Sequence, residues 1–227
     1  MSIAGRFLVV GAVVALCLAV PAAAHKPLSI GEVYPTFDRA LWIEDIDVSQ
    51  VAYARLTKID RALWLAFDAA AGTRLDLSLG VPALDRLAEY RPSLAVLGPS
   101  LPAIELPLGI PPDVGGVPFE TSGAEPRFFH EPFTGTDSWI LLEETVELPE
   151  AGTYYVVAWP RGDLADKLWV AVGLREQFGL RDLLSLPTIV RDVRAFHEVN
   201  RWPSGIASAG KLLFLALAVG LIAWPTF

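Results

Sequence analysis

The sequence predicts a mainly β fold: an antiparallel, jelly-roll-like β-sandwich followed by an amphipathic helix and a C-terminal transmembrane helix. Three observations predict it. Short runs rich in Val, Ile, Leu, Trp and Tyr alternate with Gly, Pro and Asp from Arg39 to Leu174, the mark of strands and turns. The spacing of apolar residues becomes helical after Gly173. Both ends of the chain are apolar.

The first element, residues 1–24, reads as a secretory signal. Arg6 supplies the positive start, Phe7 to Val20 an apolar run of about 14 residues, and Ala22-Ala23-Ala24 a small-residue cleavage site. The run is short for a bilayer span of about 20 residues. The mature chain is therefore expected to begin at His25, and an exported domain, residues 25–175, follows.

Seven runs are its clearest strands: "VAYARL", "ALWLAF", "TRLDLSLG", "SLAVLGP", "SWILLEETVEL", "TYYVVAW" and "KLWVAVGL". In "TRLDLSLG" Leu75, Leu77 and Leu79 alternate with Arg74, Asp76 and Ser78, so one face is buried and the other wet. Between the fourth and fifth runs lies a long insertion, residues 101–137, rich in Pro and Gly. It is expected to cross one end or face of the sandwich, as a functional loop or as a stiff cover over a sheet edge.

The order "RALWLAFDAAAGTRLDLSL", "PSLAVLGPSLP", "VELPEAGTYYVVAWP" and "KLWVAVG" resembles the bacterial pre-peptidase C-terminal domain, over roughly Gln50 to Gly173. The resemblance implies a jelly-roll-like sandwich in which "AGTYYV" opens the penultimate strand. It further implies an accessory module without catalytic residues. The chain differs from that family in having no attached peptidase, in the 101–137 insertion, and in lacking an Asp-rich run before the second turn.

The next element, residues 176–203, carries Leu186, Ile189, Val190, Val193 and Phe196 at helical spacing. Arg191, Asp192, Arg194 and Glu198 fall mostly on the other side, and Pro187 suits a first turn. Such a helix either lies along the headgroup boundary with its arginines on anionic lipid, or packs back on the sandwich. The last element, 204–227, is apolar from Ile206 to Trp224 apart from Lys211. That is about 19 residues, enough for one span, and the Lys211 stem can snorkel. Small residues near Ser204 and Gly205 also suit exchange for a lipid anchor. The domain is thus expected on the extracytoplasmic side of a cell membrane, held by a single pass.

Composition narrows the function. The lone cysteine, Cys17, lies in the signal, which removes disulfides, thiolate metal sites and cysteine nucleophiles from the mature protein. The chain carries a net charge of -8; its 18 Lys and Arg, of which Arg6 and Lys211 lie in the apolar ends, face 26 Asp and Glu. An acidic surface repels phosphate backbones, so no nucleic-acid partner is expected.

Histidines give the sharpest candidate site. Cleavage after Ala24 would give His25 a free amine beside its imidazole, and His130 sits in the insertion among Phe128, Phe129 and Phe133. Amine and imidazole nitrogens suit copper, so His25 with His130 is the candidate metal pair, against a plain solvent-exposed terminus. Carboxylates at Glu44, Asp45 and Asp47, and at Asp163 and Asp166, lack EF-hand spacing and read as acidic turns. No G-x-S-x-G elbow, HExxH helix, P-loop or dinucleotide fingerprint is present, so no enzymatic activity is expected. Trp64, Trp139, Tyr155, Trp159 and Trp169 read as core; exposure of Trp159 and Trp169 on one face would instead make a glycan platform. The expected function is a non-enzymatic, membrane-anchored binding or interaction module, its protein or glycan partner on the sandwich face or the 101–137 loop, with copper binding as the alternative.

Overall fold

Each of the seven runs is a strand at the position its alternation sets. The computed structural model describes residues 25–177 and 180–199; the signal, 1–24, and the anchor, 204–227, lie outside the described residues. The strands are β1 (Lys26–Ile30), β2 (Leu41–Trp42), β3 (Gln50–Arg55), β4 (Leu63–Ala69), β5 (Thr73–Pro82), β6 (Ser93–Gly98), β7 (Gly115–Phe119), β8 (Arg127–Glu131), β9 (Thr136–Leu148), β10 (Gly152–Trp159) and β11 (Lys167–Val172). One helix follows, α1 (Leu180–Phe196).

Sheet A has the order β1-β3-β11-β5-β9-β8 and sheet B the order β2-β4-β10-β6-β7. Leu75, Leu77 and Leu79 point inward as their alternation requires, together with Leu168, Val170 and Val172. From sheet B, Leu63, Leu65, Phe67, Tyr154 and Val156 join the same buried cluster. Full burial of such a side chain contributes about 1.5–3 kcal/mol. The "AGTYYV" stretch owes its form to this core: Tyr154 stacks on Phe67 at 6.1 Å and donates its hydroxyl proton to the Glu150 carbonyl at 2.7 Å. Gly98 makes room for that ring, since a Cβ there would lie 2.1 Å from it.

The expectation of a purely antiparallel sandwich is corrected at two edges. β1 pairs parallel with β3, and β2 parallel with β4; the remaining pairs are antiparallel. The chain visits the opposite sheet between the two partners in each case, and that long excursion is what a parallel pair requires. The insertion is also more ordered than a loop: it supplies β7 and β8, which close one edge of each sheet.

Both outer faces are covered. On sheet B, Trp64, Ala95, Leu97, Val157 and Trp159 are buried beneath Ile104, Leu106, Leu108 and Ile110, alternate residues of an extended ribbon. On sheet A, Val51, Ile140, Trp169 and Ala171 form a second outer cluster with Tyr53 and Phe129. Helix α1 lies over part of it, with Val190, Val193 and Phe196 buried and Phe196 against Tyr53 at 5.1 Å. The helix therefore packs back on the sandwich through the apolar face read from its spacing.

Two details of the helix are corrected. Pro187 lies inside it, because the helix starts at Leu180. Arg194 is buried instead of facing solvent, since it donates to the Thr134 carbonyl at 2.6 Å in the turn between β8 and β9. Among the described residues no helix is long and apolar enough to cross a membrane.

Candidate functional site

Where the helix stops covering sheet A, a groove of about 400 Å³ opens on the same face. His25, Asp76, Ser78, Glu143, Thr145 and Gly173 are among its walls. Strand alternation accounts for it: the inward leucines of β5 send Asp76 and Ser78 outward, and antiparallel register brings Thr145 and Glu143 beside them. Asp76 accepts the Thr145 hydroxyl and Glu143 pairs with Arg127 at 2.7 Å. The groove is thus acidic, lined by carboxylates, hydroxyls and one imidazole.

His25 stands between this groove and a smaller apolar depression shared with Tyr53, Glu131, Leu186 and Val193. Its Nδ1 bonds the Ser49 hydroxyl at 2.6 Å. Burial pushes its pKa below the ordinary value, opposed by the nearby Glu131 and Glu176 carboxylates. His130 is placed otherwise. Glu131 shares the depression with His25, and adjacent residues of a strand point to opposite faces, so the His130 ring leaves the sheet on the other side. There its Nδ1 bonds Asp137 at 2.6 Å in an exposed pair. The two histidines are not brought together, and among the described residues no three His, Asp or Glu are grouped to hold a metal.

Among the carboxylate candidates, Asp45 and Asp166 are held in structural contacts. Asp45 pairs with Arg175 at 2.7 Å and accepts the Asp47 amide. Asp166 pairs with Arg86 at 2.9 Å and accepts the Lys167 amide. Trp159 and Trp169 are each 6% exposed and lie on the outer faces of different sheets, so they form no shared platform.

Sequence reasoning missed one pair of functional type. Under α1, Ser138 and His197 meet at 3.1 Å, 59 residues apart and without a motif. The His197 Nδ1 lies 2.8 Å from the Val193 carbonyl. A carbonyl can only accept, so Nδ1 carries the proton and Nε2 accepts from the Ser138 hydroxyl. Trp169 donates its indole N–H to the same Ser138 oxygen at 3.2 Å, and Gly80 leaves room for that indole, a Cβ there falling 2.2 Å from it. Burial pushes the His197 pKa down to about 4.

A second missed cluster fastens the end of the helix. Lys167, 4% exposed, donates to the Phe196 carbonyl and to Glu198, both at 2.6 Å. Glu198 also takes two bonds from Arg86, and these cations hold its carboxyl down to about 2. Lone charged residues in a sequence give no warning of such an assembly.

No family model matches the chain, and no curated protein matches it. Several solved structures are similar in fold, three of them as follows. The pre-peptidase C-terminal domain of a collagenase from Bacillus anthracis is 11% identical, covering 58% of this chain and 91% of that one at a TM-score of 0.31. CorA, a surface-associated copper-binding protein of Methylomicrobium album BG8, is 11% identical over 65% of this chain and all of that one, at 0.34. MopE, a secreted protein of Methylococcus capsulatus, is 13% identical over 50% and 70%, at 0.25. These are likenesses of fold.

Proposed function

We propose that the protein is a non-enzymatic binding module, exported and tethered to the outer side of a cell membrane by its apolar tail, that takes a cationic or polar ligand in the sheet A groove. The observation that carries the reading is the groove itself, a 400 Å³ depression on sheet A lined with carboxylates and hydroxyls. Such a lining attracts positive charge. The Ser138–His197 pair supports a binding role over hydrolysis. Both residues are buried, and the Nδ1 proton goes to a backbone carbonyl where a catalytic base would be oriented by a carboxylate.

Titration of the detergent-solubilised chain with spermidine, followed by calorimetry, tests the reading. Asp76→Asn with Glu143→Gln is expected to weaken binding at least tenfold. Equal affinity of the double variant, or no binding by the parent chain, overturns it.

Copper is a second reading, favoured by one observation: the His25 imidazole stands at the groove, where cleavage after Ala24 would add the terminal amine. The arrangement supports His25 as the nitrogen ligand in place of a His25–His130 pair. Copper(II) electron paramagnetic resonance of the processed chain is expected to lose its imidazole nitrogen couplings in His25→Ala and keep them in His130→Ala. Retention in both variants ends the copper reading.

A further inference from the structure

The end of the sandwich from which the chain departs for its tail carries a second feature. Two loops form it, residues 56–62 between β3 and β4 and residues 160–166 between β10 and β11. Ile59, at the tip of the first, is 90% exposed and Leu164, in the second, is 47% exposed. Neither loop is slack. The Thr57 hydroxyl oxygen accepts the Ile59 and Asp60 amides at 3.2 and 3.0 Å, Thr57 donates its own amide to Asp60 at 2.9 Å, and Arg61 bonds the Gly162 carbonyl across the two loops. A single exposed aliphatic residue is ordinary; two on adjoining, braced tips present a fixed apolar pair to whatever lies beyond.

The ion-pair cluster says what lies beyond. Asp166 closes the second loop and shares Arg86 with Glu198, so the helix end is held at these loops. From residue 199 to Ile206, where the apolar run starts, are seven residues, which span at most about 25 Å. The apolar run therefore starts within that reach of residue 199, which the ion pairs hold at the loop end of the sandwich, while the β4–β5 turn lies at the other end of the strands. Lys58 stands beside Ile59, where an aliphatic stem and an ammonium suit a headgroup layer.

Resting on the reading of the tail as a tether, we propose that this end of the sandwich docks on the bilayer, with Ile59 and Leu164 entering its headgroup–acyl boundary. The domain then stands on the membrane with a fixed orientation, and the sheet A groove opens to the side.

The test uses the processed chain, which begins at His25 and carries no cysteine, reconstituted in vesicles of phosphatidylcholine and phosphatidylglycerol. A polarity-sensitive dye is placed in turn at Ile59→Cys, Leu164→Cys and Ala71→Cys, the last on the turn at the far end. Carbonate extraction of the same vesicles reads the tether alone. The expected result is a chain that resists carbonate, with emission from positions 59 and 164 blue-shifted and quenched by spin-labelled lipid, and emission from 71 unchanged. Resistance to carbonate with positions 59 and 164 as aqueous as 71 overturns the docking and leaves the tether. A blue shift at all three positions overturns the stated orientation. A chain stripped by carbonate overturns the tether and the docking with it.

Discussion

The two outer faces of the sandwich solve one problem in different ways. Each exposes a patch of Trp and aliphatic side chains from its sheet, and each patch is covered. Sheet B is covered by the 104–110 segment, whose Ile104, Leu106, Leu108 and Ile110 pack on its outer apolar cluster. Sheet A is covered by a helix whose contacts mix apolar side chains with buried polar ones: Ser138, Lys167, Arg194 and His197. Buried polar groups are tolerated only when hydrogen-bonded, so the helix cover depends on geometry and protonation. The ribbon cover depends on area alone.

The largest effects should come from the two anchors. Trp64→Ala under the ribbon and Trp169→Ala under the helix are each expected to cost about 3–5 kcal/mol, measured by urea denaturation. A cost below about 1 kcal/mol for either would mean that its face is not packed as a core.

Acid should separate the covers. An unfolded chain takes up a proton at His197 below its ordinary pKa of 6.5, whereas the folded ring stays neutral to about 4. The stabilisation is therefore complete above pH 6.5 and lost as the pH falls toward 4, by up to about 1.4 kcal/mol per pH unit. Lys167 and Asp137 act on the ring in opposite directions, and burial of His25 adds a shift of the same sign as His197. Glu198, held at about 2, contributes in full above the ordinary carboxyl range and loses that contribution progressively as the pH falls from there toward 2. Between pH 6.5 and 5, hydrogen-exchange protection, corrected for the intrinsic rate, is expected to fall in α1 and stay level in β4 and β10, with the difference reduced in His197→Gln. Equal changes in both regions would remove the distinction.

The smallest effect is expected at Arg86. It is 42% exposed in its pairs with Asp166 and Glu198, so Arg86→Ala should cost no more than about 1 kcal/mol. Exchange should rise selectively in the last turn of α1, and a global rise would show that the cluster does more than hold the helix end.

The same contrast explains what was legible in the sequence. The central strands were, because burial on one side forces alternation, as in Leu75, Leu77 and Leu79. The apolar stripe of α1 was too, through Val190, Val193 and Phe196. The edge strands were not: β1 carries Pro27 and a register shift, β7 carries two glycines and a proline, and neither has room for a pattern. The ribbon hid in plain view, since the period of Ile104, Leu106, Leu108 and Ile110 is broken to the eye by Pro107 and Gly109. Of the candidate site, His25 is legible because the expected cleavage site singles it out. Asp76, Glu143 and Thr145 come together only through the β5–β9 register, and a register is a long-range property that no local run of residues reveals.

The Lys167 contact has a mechanical consequence. Lys167 begins β11, which lies in the interior of its sheet between β3 and β5, and it grips the chain at Phe196 and Glu198, just before the tail departs. Under the proposed tether, tension along the tail would meet that grip first and be shared with the two strands that flank β11, instead of falling on an outermost strand alone.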